Sequence, residues 1–435
     1  MQIKGETASD IFDSVRALAR GGDLLPGQAL PTVRSLAATL GVNRNTVSLA
    51  YQRLAAAGVA VTQGRLGTVI CEPAGSDEQE GVPPDSPLAD LSSGNPAPAW
   101  LPDIGAAMPG RVYQSRLYGE PPIGPALDTL GHHWLAPDSR DGLALNLTHG
   151  AVDAVERLLA TYLVAGDRVA VEDPCFLGSI NTLRTQGLQA VGVPMDGEGM
   201  QALGLERALA QGAQAVIVTP RAQNPTGCSL SPERAQALRE VLAQHPHVLV
   251  IVDDHFSLLS TMEYYSVLPA NARRWALVRS VSKMLGPDLR LAFVGSDGQT
   301  ADRLRLRLSG GTTWVSHLLQ DAVSACLSSA KVGAQIQQAR DDYARRRLGM
   351  AAVLQARGLR CSLPADGLNL WLPLPHSGQA VVSAMALRGW LVRAGDAFGI
   401  ETPAHGLRIT VSGLEQNAFD TFGDALRQVM DAMTG

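Results

Sequence analysis

Apolar positions along the chain follow two different periods. In the first seventy residues they recur at helical spacing: Ile11, Val15, Leu18 and Ala19 share one face of a stretch from Ala8 to Arg20, which Gly21-Gly22 ends. Thr32 is placed to cap a helix running to Leu40, with Pro31 just ahead of it, and Gly41 breaks that helix in a turn. Asn43 is placed to cap the next helix, Arg44 to about Ala57, which buries Val47, Ala50, Tyr51 and Leu54. Val59–Val61 and Thr68–Ile70 then alternate around Gln63-Gly64-Arg65-Leu66-Gly67, which predicts a β-hairpin wing with one arginine at its tip. Helix, short turn, helix and wing make the geometry of a DNA reader.

From about residue 93 the period changes. Val169–Val171, Ala215–Thr219, Val248–Val252, Ala276–Val278 and Leu291–Val294 are short apolar runs that read as buried strands, with amphipathic stretches such as Pro232–Ala243 between them. This alternation predicts an α/β body, a parallel-rich sheet with helices on both faces. From about Ile336 further helices and a few strands predict a smaller α+β layer. Between head and body, residues 72–90 hold six acidic residues, four prolines and no basic residue, which is linker composition. The expected organisation is a winged helix-turn-helix over 1–71, a flexible acidic linker over 72–91 and a body over 92–435. The large part of the body is expected at about 130–330 and the small part at about 92–125 and 331–435.

Composition narrows the classes. Apolar residues make up 46 % and charged residues 18 % of the 435, as in a chain with a sizeable core. No apolar run reaches membrane-spanning length, and the opening MQIKGETASD lacks the apolar stretch of a secretory signal. The five scattered cysteines form no CxxC pair, so they read as reduced thiols of a cytoplasmic protein rather than a disulfide or zinc framework. Net charge is −5, yet residues 1–71 carry seven Lys/Arg against four Asp/Glu, so the head is +3 and the remainder −8. A basic head on an acidic chain points to nucleic acid as its partner. Of 36 basic residues only Lys4, Lys283 and Lys331 are lysines. A lysine kept inside a distinctive motif is then there for its amine, since a guanidinium is never neutral at working pH and cannot form a Schiff base.

LPTVRSLAATLGVNRNTVSLAYQRLAAAG, followed by QGRLGT, resembles the winged helix-turn-helix of GntR-type regulators over about residues 8–70. The resemblance implies that Arg34 contacts phosphate and that Arg44, Asn45 and Thr46 open the recognition helix toward bases and phosphates. It implies that Arg65, with Gly67 beside it in the wing, reaches the backbone or the minor groove.

The body resembles the type I aminotransferases, which bind pyridoxal phosphate (PLP). Ser280-Val281-Ser282-Lys283, with Pro287 and Arg290 after it, matches their S-x-S-K-x-x-x-P-x-x-R signature, and Thr219–Gly227 matches T-P-x-x-Q-N-P-T-G. What the resemblance implies is a full PLP site. Lys283 would form the Schiff base, Asp253 in VLVIVDDHF would pair with the pyridinium nitrogen, and Asn224 would donate to the ring hydroxylate. Phe176 would stack on the ring. Gly150, Ala151 and Val152 at a helix start, Ser280 and Arg290 would hold the phosphate. Arg408 would bind the carboxylate of an effector, and Tyr118 would reach the phosphate of a neighbouring subunit, which implies a homodimer.

Three positions depart from that pattern. His255 stands where the family has a tyrosine, so an imidazole would face the ring oxygen; Ala151 replaces a hydroxyl of the phosphate loop; and Leu127-Asp128 replaces a Leu-Arg pair. Weaker phosphate anchoring and an altered ring-oxygen donor favour ligand sensing over fast turnover.

The fused architecture resembles the MocR subfamily of GntR regulators. The resemblance implies operator DNA and PLP as partners, PLP acting alone or with an amine or amino acid, and for some members control of vitamin B6 metabolism with PLP itself as the signal. Two other readings stay open on the residues. One is a working aminotransferase with a regulatory head, which Lys283, Asp253 and Arg408 permit. The other is a PLP-free regulator that binds a small acid.

Overall fold

The computed structural model describes residues 3–57, 59–63, 67–70, 81, 86–108, 115–363 and 365–434; the predicted tip arginine Arg65 and most of the predicted linker lie outside the described residues. The chain divides into two compact units, one of residues 1–79 with 163–167 and 181–189, the other of residues 80–162, 168–180 and 190–435.

The head holds helices α1 (Ala8–Arg20), α2 (Val33–Leu40) and α3 (Arg44–Ala56) and the hairpin strands β1 (Ala60–Gln63) and β2 (Gly67–Ile70). Each helix starts where a side chain can meet its orphan amides. Thr32 Oγ1 accepts from Ser35 N, and Asn43 Oδ1 accepts from Asn45 N. Thr7 and Asp10 cap α1 reciprocally. Gly41 ends α2 at φ +68, a left-handed conformation open to glycine. Ile11, Val15, Val47, Ala50 and Leu54 are wholly buried and form the head's core. The Tyr51 hydroxyl donates to Pro31 O at 2.7 Å and ties α3 to the start of α2. β1 and β2 pair antiparallel from Ala60↔Ile70 to Gln63↔Gly67, the predicted wing.

The body opens with β3 (Ala89–Asp90), α4 (Ile104–Ala107) and α5 (Pro125–Leu135). Then come β4 (Ala144–Thr148), α6 (Ala151–Tyr162), β5 (Arg168–Asp173), α7 (Leu177–Thr185), β6 (Gln189–Asp196) and β7 (Gly199–Met200). α8 (Ala202–Ala210), β8 (Ala213–Val218), α9 (Pro232–Ala243), β9 (Leu249–Asp253), β10 (Arg274–Ser280), α10 (Ser282–Leu285) and β11 (Ala292–Ser296) follow. The last part holds α11 (Gly298–Ser309), α12 (His317–Ser328), α13 (Ala330–Ala356), β12 (Asn369–Pro373) and α14 (Gln379–Ala386). It closes with β13 (Trp390–Leu391), β14 (Arg393–Ala394), β15 (Gly406–Thr410) and α15 (Phe419–Thr434).

The eight-stranded sheet runs β4-β11-β10-β9-β8-β5-β6-β7. β5, β8, β9 and β10 pair in parallel, whereas β11 is antiparallel to both β10 and β4. A parallel return needs a crossover of about a dozen residues or more. Residues 281–291, between β10 and β11, must also form α10, so the chain turns back beside its own strand. A second sheet, β12-β15-β14, lies in the smaller layer, and β13 pairs with β3. Two cores result. The larger is lined by the sheet and includes Ala97 and Leu127; the smaller holds Leu91, Met350, Leu370, Ile409 and Phe422. α13 serves both, with Ile336 and Tyr343 in the larger core and Met350 and Leu354 in the smaller.

Candidate functional site

In an open α/β sheet, ligands bind beyond the carboxyl ends of the parallel strands. β5 ends at Asp173, β8 at Val218, β9 at Asp253 and β10 at Ser280, and the segments after them carry Phe176, Asn224, His255 and, on α10, Lys283. β4 is antiparallel to β11 and β11 to β10, so β4 runs the same way as β10 and delivers Gly150 to the same edge. Five segments, scattered over more than a hundred residues of sequence, thus meet at one rim.

Asp253 is 8 % exposed and its Oδ1 has no hydrogen-bond partner. Burial, with the neighbouring Asp254 adding to it, pushes this carboxyl up to about 7. An orphaned buried carboxylate oxygen costs free energy unless a donor arrives. Glu172, at the end of β5, is also buried, accepts from Thr219 N at 2.7 Å and is pushed up to about 7, mainly by burial. His255 is half-buried, and burial together with the nearby Lys283 cation lowers its imidazole to about 4, so it is neutral at pH 7.

At the other end of the rim, Gly150 has φ +94, and a Cβ there would stand 2.8 Å from Arg290 Nη2. The bare backbone therefore lets the exposed Arg290 guanidinium lie against the loop that starts α6. Ala151 and Val152 are the first residues of α6, where amides lack helical partners. Ser280 Oγ accepts from Ser282 N at 3.2 Å, which turns the chain into α10 just before Lys283. Helix start, serine and guanidinium compose an anion cup.

The Lys283 ammonium donates to Gly94 O at 2.6 Å. Arg408, fully buried on β15, donates to Asn224 Oδ1 at 3.0 Å and to Ser92 O, and lies over the Phe398 ring at 5.2 Å. Phe176 is half-buried immediately before α7, against Gly178, where a Cβ would meet its ring at 2.4 Å. Gln223 Nε2 donates to Pro174 O at 2.8 Å, and Cys175 N donates to Phe398 O at 2.8 Å, so the Phe176 and Asn224 loops and the Arg408 neighbourhood are mutually braced. Tyr118 is 91 % exposed and meets Trp314 edge-on at 5.5 Å; among the described residues no hydrogen bond or ring contact joins it to this group.

Several supporting residues carried no sequence signal. Asp254, 0 % exposed, holds Arg221 through 3.0 and 2.6 Å bonds and Arg279 at 2.8 Å, and Arg279 reaches on to Asp138. This buried chain fixes the loops after β8, β9 and α5 behind the rim. The carbonyls of Ser92 and Gly94 escaped notice too, because backbone acceptors leave no mark in a sequence. Adjacent Asp-Asp was the one available hint of two carboxylates with separate duties.

In the head, Arg34 is exposed in the first turn of α2; Arg44 and Asn45 are exposed and Thr46 half-buried at the start of α3, so that capped helix presents these three together. Gly67 opens β2 with φ +77. Lys4 and Lys331 are exposed, apart from the rim loops in sequence.

The rim residues fit pyridoxal phosphate. The unmet Asp253 Oδ1 suits a pyridinium N–H, the Gly150–Arg290 cradle suits a phosphate, and Lys283 supplies the amine for an aldehyde. Residues 7–70 match the family "Bacterial regulatory proteins, gntR family", and residues 91–426 match "Aminotransferase class I and II". The chain is 50 % identical to the vitamin B6 salvage pathway transcriptional repressor PtsJ of Salmonella typhimurium, over 99 % of this chain and 100 % of that one. It is 25 % identical to the probable rhizopine catabolism regulatory protein MocR of Rhizobium meliloti, over 77 % of this chain and 74 % of that one. Its body shares the fold of a kynurenine aminotransferase of Pyrococcus horikoshii, with TM-score 0.72 and 21 % identity over 81 % of this chain and 92 % of that one. No helix among the described residues is long and apolar enough to cross a membrane. The chain thus belongs to the MocR-like regulators, in which a GntR-type DNA-binding head is fused to a class I and II aminotransferase domain.

Proposed function

We propose that this protein is a transcriptional regulator of vitamin B6 metabolism whose DNA binding is set by PLP held at Lys283. The observation that carries the reading is the whole-length similarity to a vitamin B6 salvage repressor in a chain that keeps the lysine, the orphaned aspartate and the anion cup. Bound PLP supplies an aldehyde that takes up amines and a ring that withdraws electrons. In this reading Asp253 keeps the ring nitrogen protonated, and Asn224 and the neutral His255 face the ring oxygen. Phe176 covers one ring face, while Gly150, the Ala151 and Val152 amides, Ser280 and Arg290 hold the phosphate. Arg408 offers a buried guanidinium to the carboxylate of an amino-acid co-effector. The working species is a homodimer in the cytoplasm, with Tyr118 completing the neighbouring subunit's phosphate site. Arg34, Arg44, Asn45, Thr46, Arg65 and Gly67 make the DNA contacts, phosphates first and base edges through α3.

The test joins two readouts. Absorbance of the protein titrated with PLP is compared with a Lys283→Ala variant, and both are assayed for binding to a duplex selected from a random pool by the protein itself. A visible band lost with the lysine, together with a PLP-dependent shift in DNA affinity in the wild type alone, is expected. A band without any shift would leave a cofactor without a regulatory role. The buried Arg408 beside Asn224 favours a second reading, a working aminotransferase with a regulatory head. Steady conversion of an amino acid and a keto acid would establish it.

A further inference from the structure

Residues 91–97 are short and carry no catalytic side chain, yet they run across the whole site. Leu91 is buried in the smaller core and Ala97 in the larger. The segment bends at residues 91–93 and takes φ +66 at Gly94, and its carbonyls face two sets of partners. Ser92 O and Gly94 O accept from Arg408 and Lys283, the two cations of the ligand site. Leu91 O and Asn95 O are held independently of any ligand, by Thr410 N at 2.7 Å and Ser412 Oγ at 2.5 Å. Gly94 N donates to Thr410 Oγ1 at 3.1 Å, and Ala97 N to the Tyr343 hydroxyl at 3.1 Å. Toward the N-terminus the segment continues through β3, which pairs with β13, directly into the linker sequence that leads to the head.

We propose that residues 91–97 form a strap that carries the state of the ligand site to the linker, and through it to the DNA-binding head. The inference rests on the PLP reading above. When Lys283 reacts, its neutral amine condenses with the aldehyde of PLP: a C=N bond replaces the C=O bond, water leaves, and the ammonium proton has gone to solvent. The nitrogen then points at the cofactor and no longer donates to Gly94 O. A carboxylate arriving at Arg408 competes with Ser92 O in the same way. Both ligand-sensitive anchors of the strap lie within three residues of each other, so one binding event loosens one short stretch of backbone. The two carbonyls then lose their donors, and the stretch shifts. Because the linker is its covalent continuation, the shift changes the tether of each head.

The experiment is hydrogen exchange of the full-length protein with and without PLP, with absorbance recorded on the same samples. Exchange over residues 91–97 is expected to rise about fivefold on PLP binding, the loss of one net hydrogen bond. A Thr410→Val/Ser412→Ala double variant loosens the strap without touching the cofactor. It is expected to show the absorbance band of bound PLP while its affinity for the selected duplex no longer responds to PLP. A band with unchanged exchange in the wild type, or a double variant with the full PLP response, would overturn the strap and leave the PLP reading standing. Absence of the band in the wild type would overturn both.

Discussion

At the scale of the residue, Asp253 is the sharpest case. Its carboxyl ionises near 3.8 in an unfolded chain and at about 7 in the folded protein. Between roughly pH 4 and 7 the unfolded chain gives up this proton and the folded chain keeps it, so this group's contribution makes stability fall as pH rises through that window and level off above it. Glu172 acts in the same direction, whereas His255, lowered to about 4, makes stability fall as pH drops below 6.5. Asp253→Asn isolates the first effect. Without PLP the variant is expected to be more stable than the wild type at pH 8, by about 1–3 kcal/mol, the cost of an unmet buried charge. The gain is expected to vanish near pH 5, and PLP is expected to raise the melting temperature of the wild type far more than that of the variant. Thermal denaturation at the two pH values, with and without PLP, reads all of this. Gly150 supports a second expectation. In Gly150→Ala, φ +94 and a Cβ 2.8 Å from Arg290 Nη2 should displace the guanidinium, weaken PLP binding at least tenfold and leave the absorbance maximum unchanged.

At the scale of the element, capping decides where the reading helix begins. Asn43→Ala should remove the bond to Asn45 N and destabilise the head by about 1 kcal/mol. DNA affinity should fall with it, while a PLP titration followed by absorbance stays as in the wild type. The same element shows why much of the head was legible. Thr32, Gly41 and Asn43 act on amides two to five residues away, so their meaning is local and survives in a bare sequence. The buried strands β5, β8, β9, β10 and β11 were legible as apolar runs; β5 and β10 outrun theirs at both ends, β9 and β11 start one residue later and end later, and β8 starts earlier and stops at Val218, short of Thr219. β4 and β6 were not foreseen: β6 is largely half-exposed and mixed in character, and Ala144–Thr148 carries Asn146 in its middle. The antiparallel direction of β11 depends on the length of the α10 connection rather than on any residue of the strand. In the site, Lys283, Asp253 and Asn224 sit in recognisable local strings. Arg221, Asp254, Arg279 and Asp138 come together only across long separations, and charge types alone do not pair them.

At the scale of the whole molecule, the head has a buried core of its own, which among the described residues is built from positions 3–70. Two melting transitions are therefore expected in calorimetry. Saturating PLP should move only the transition of the body, by the amount set by ligand concentration over its dissociation constant. A single transition shifted as a whole would show that head and body unfold together. The acidic remainder of the chain also separates the partners: nucleic acid is drawn to the +3 head, and binding should weaken steeply with salt as phosphate counterions are released.

If PLP is the signal, as proposed above, the near-absence of lysine has a further consequence. PLP in solution forms reversible imines with any accessible amine, so a lysine-rich surface would draw down the signal and blur it. Here cations are carried as guanidinium groups, which do not condense, and besides the chain's own terminal amine only Lys4 and Lys331 compete with Lys283. The surface is chemically quiet toward the molecule being measured. Borohydride reduction at low PLP should accordingly fix one adduct per chain, on Lys283, visible as a single mass increment: a detector whose background has been kept low by its choice of base.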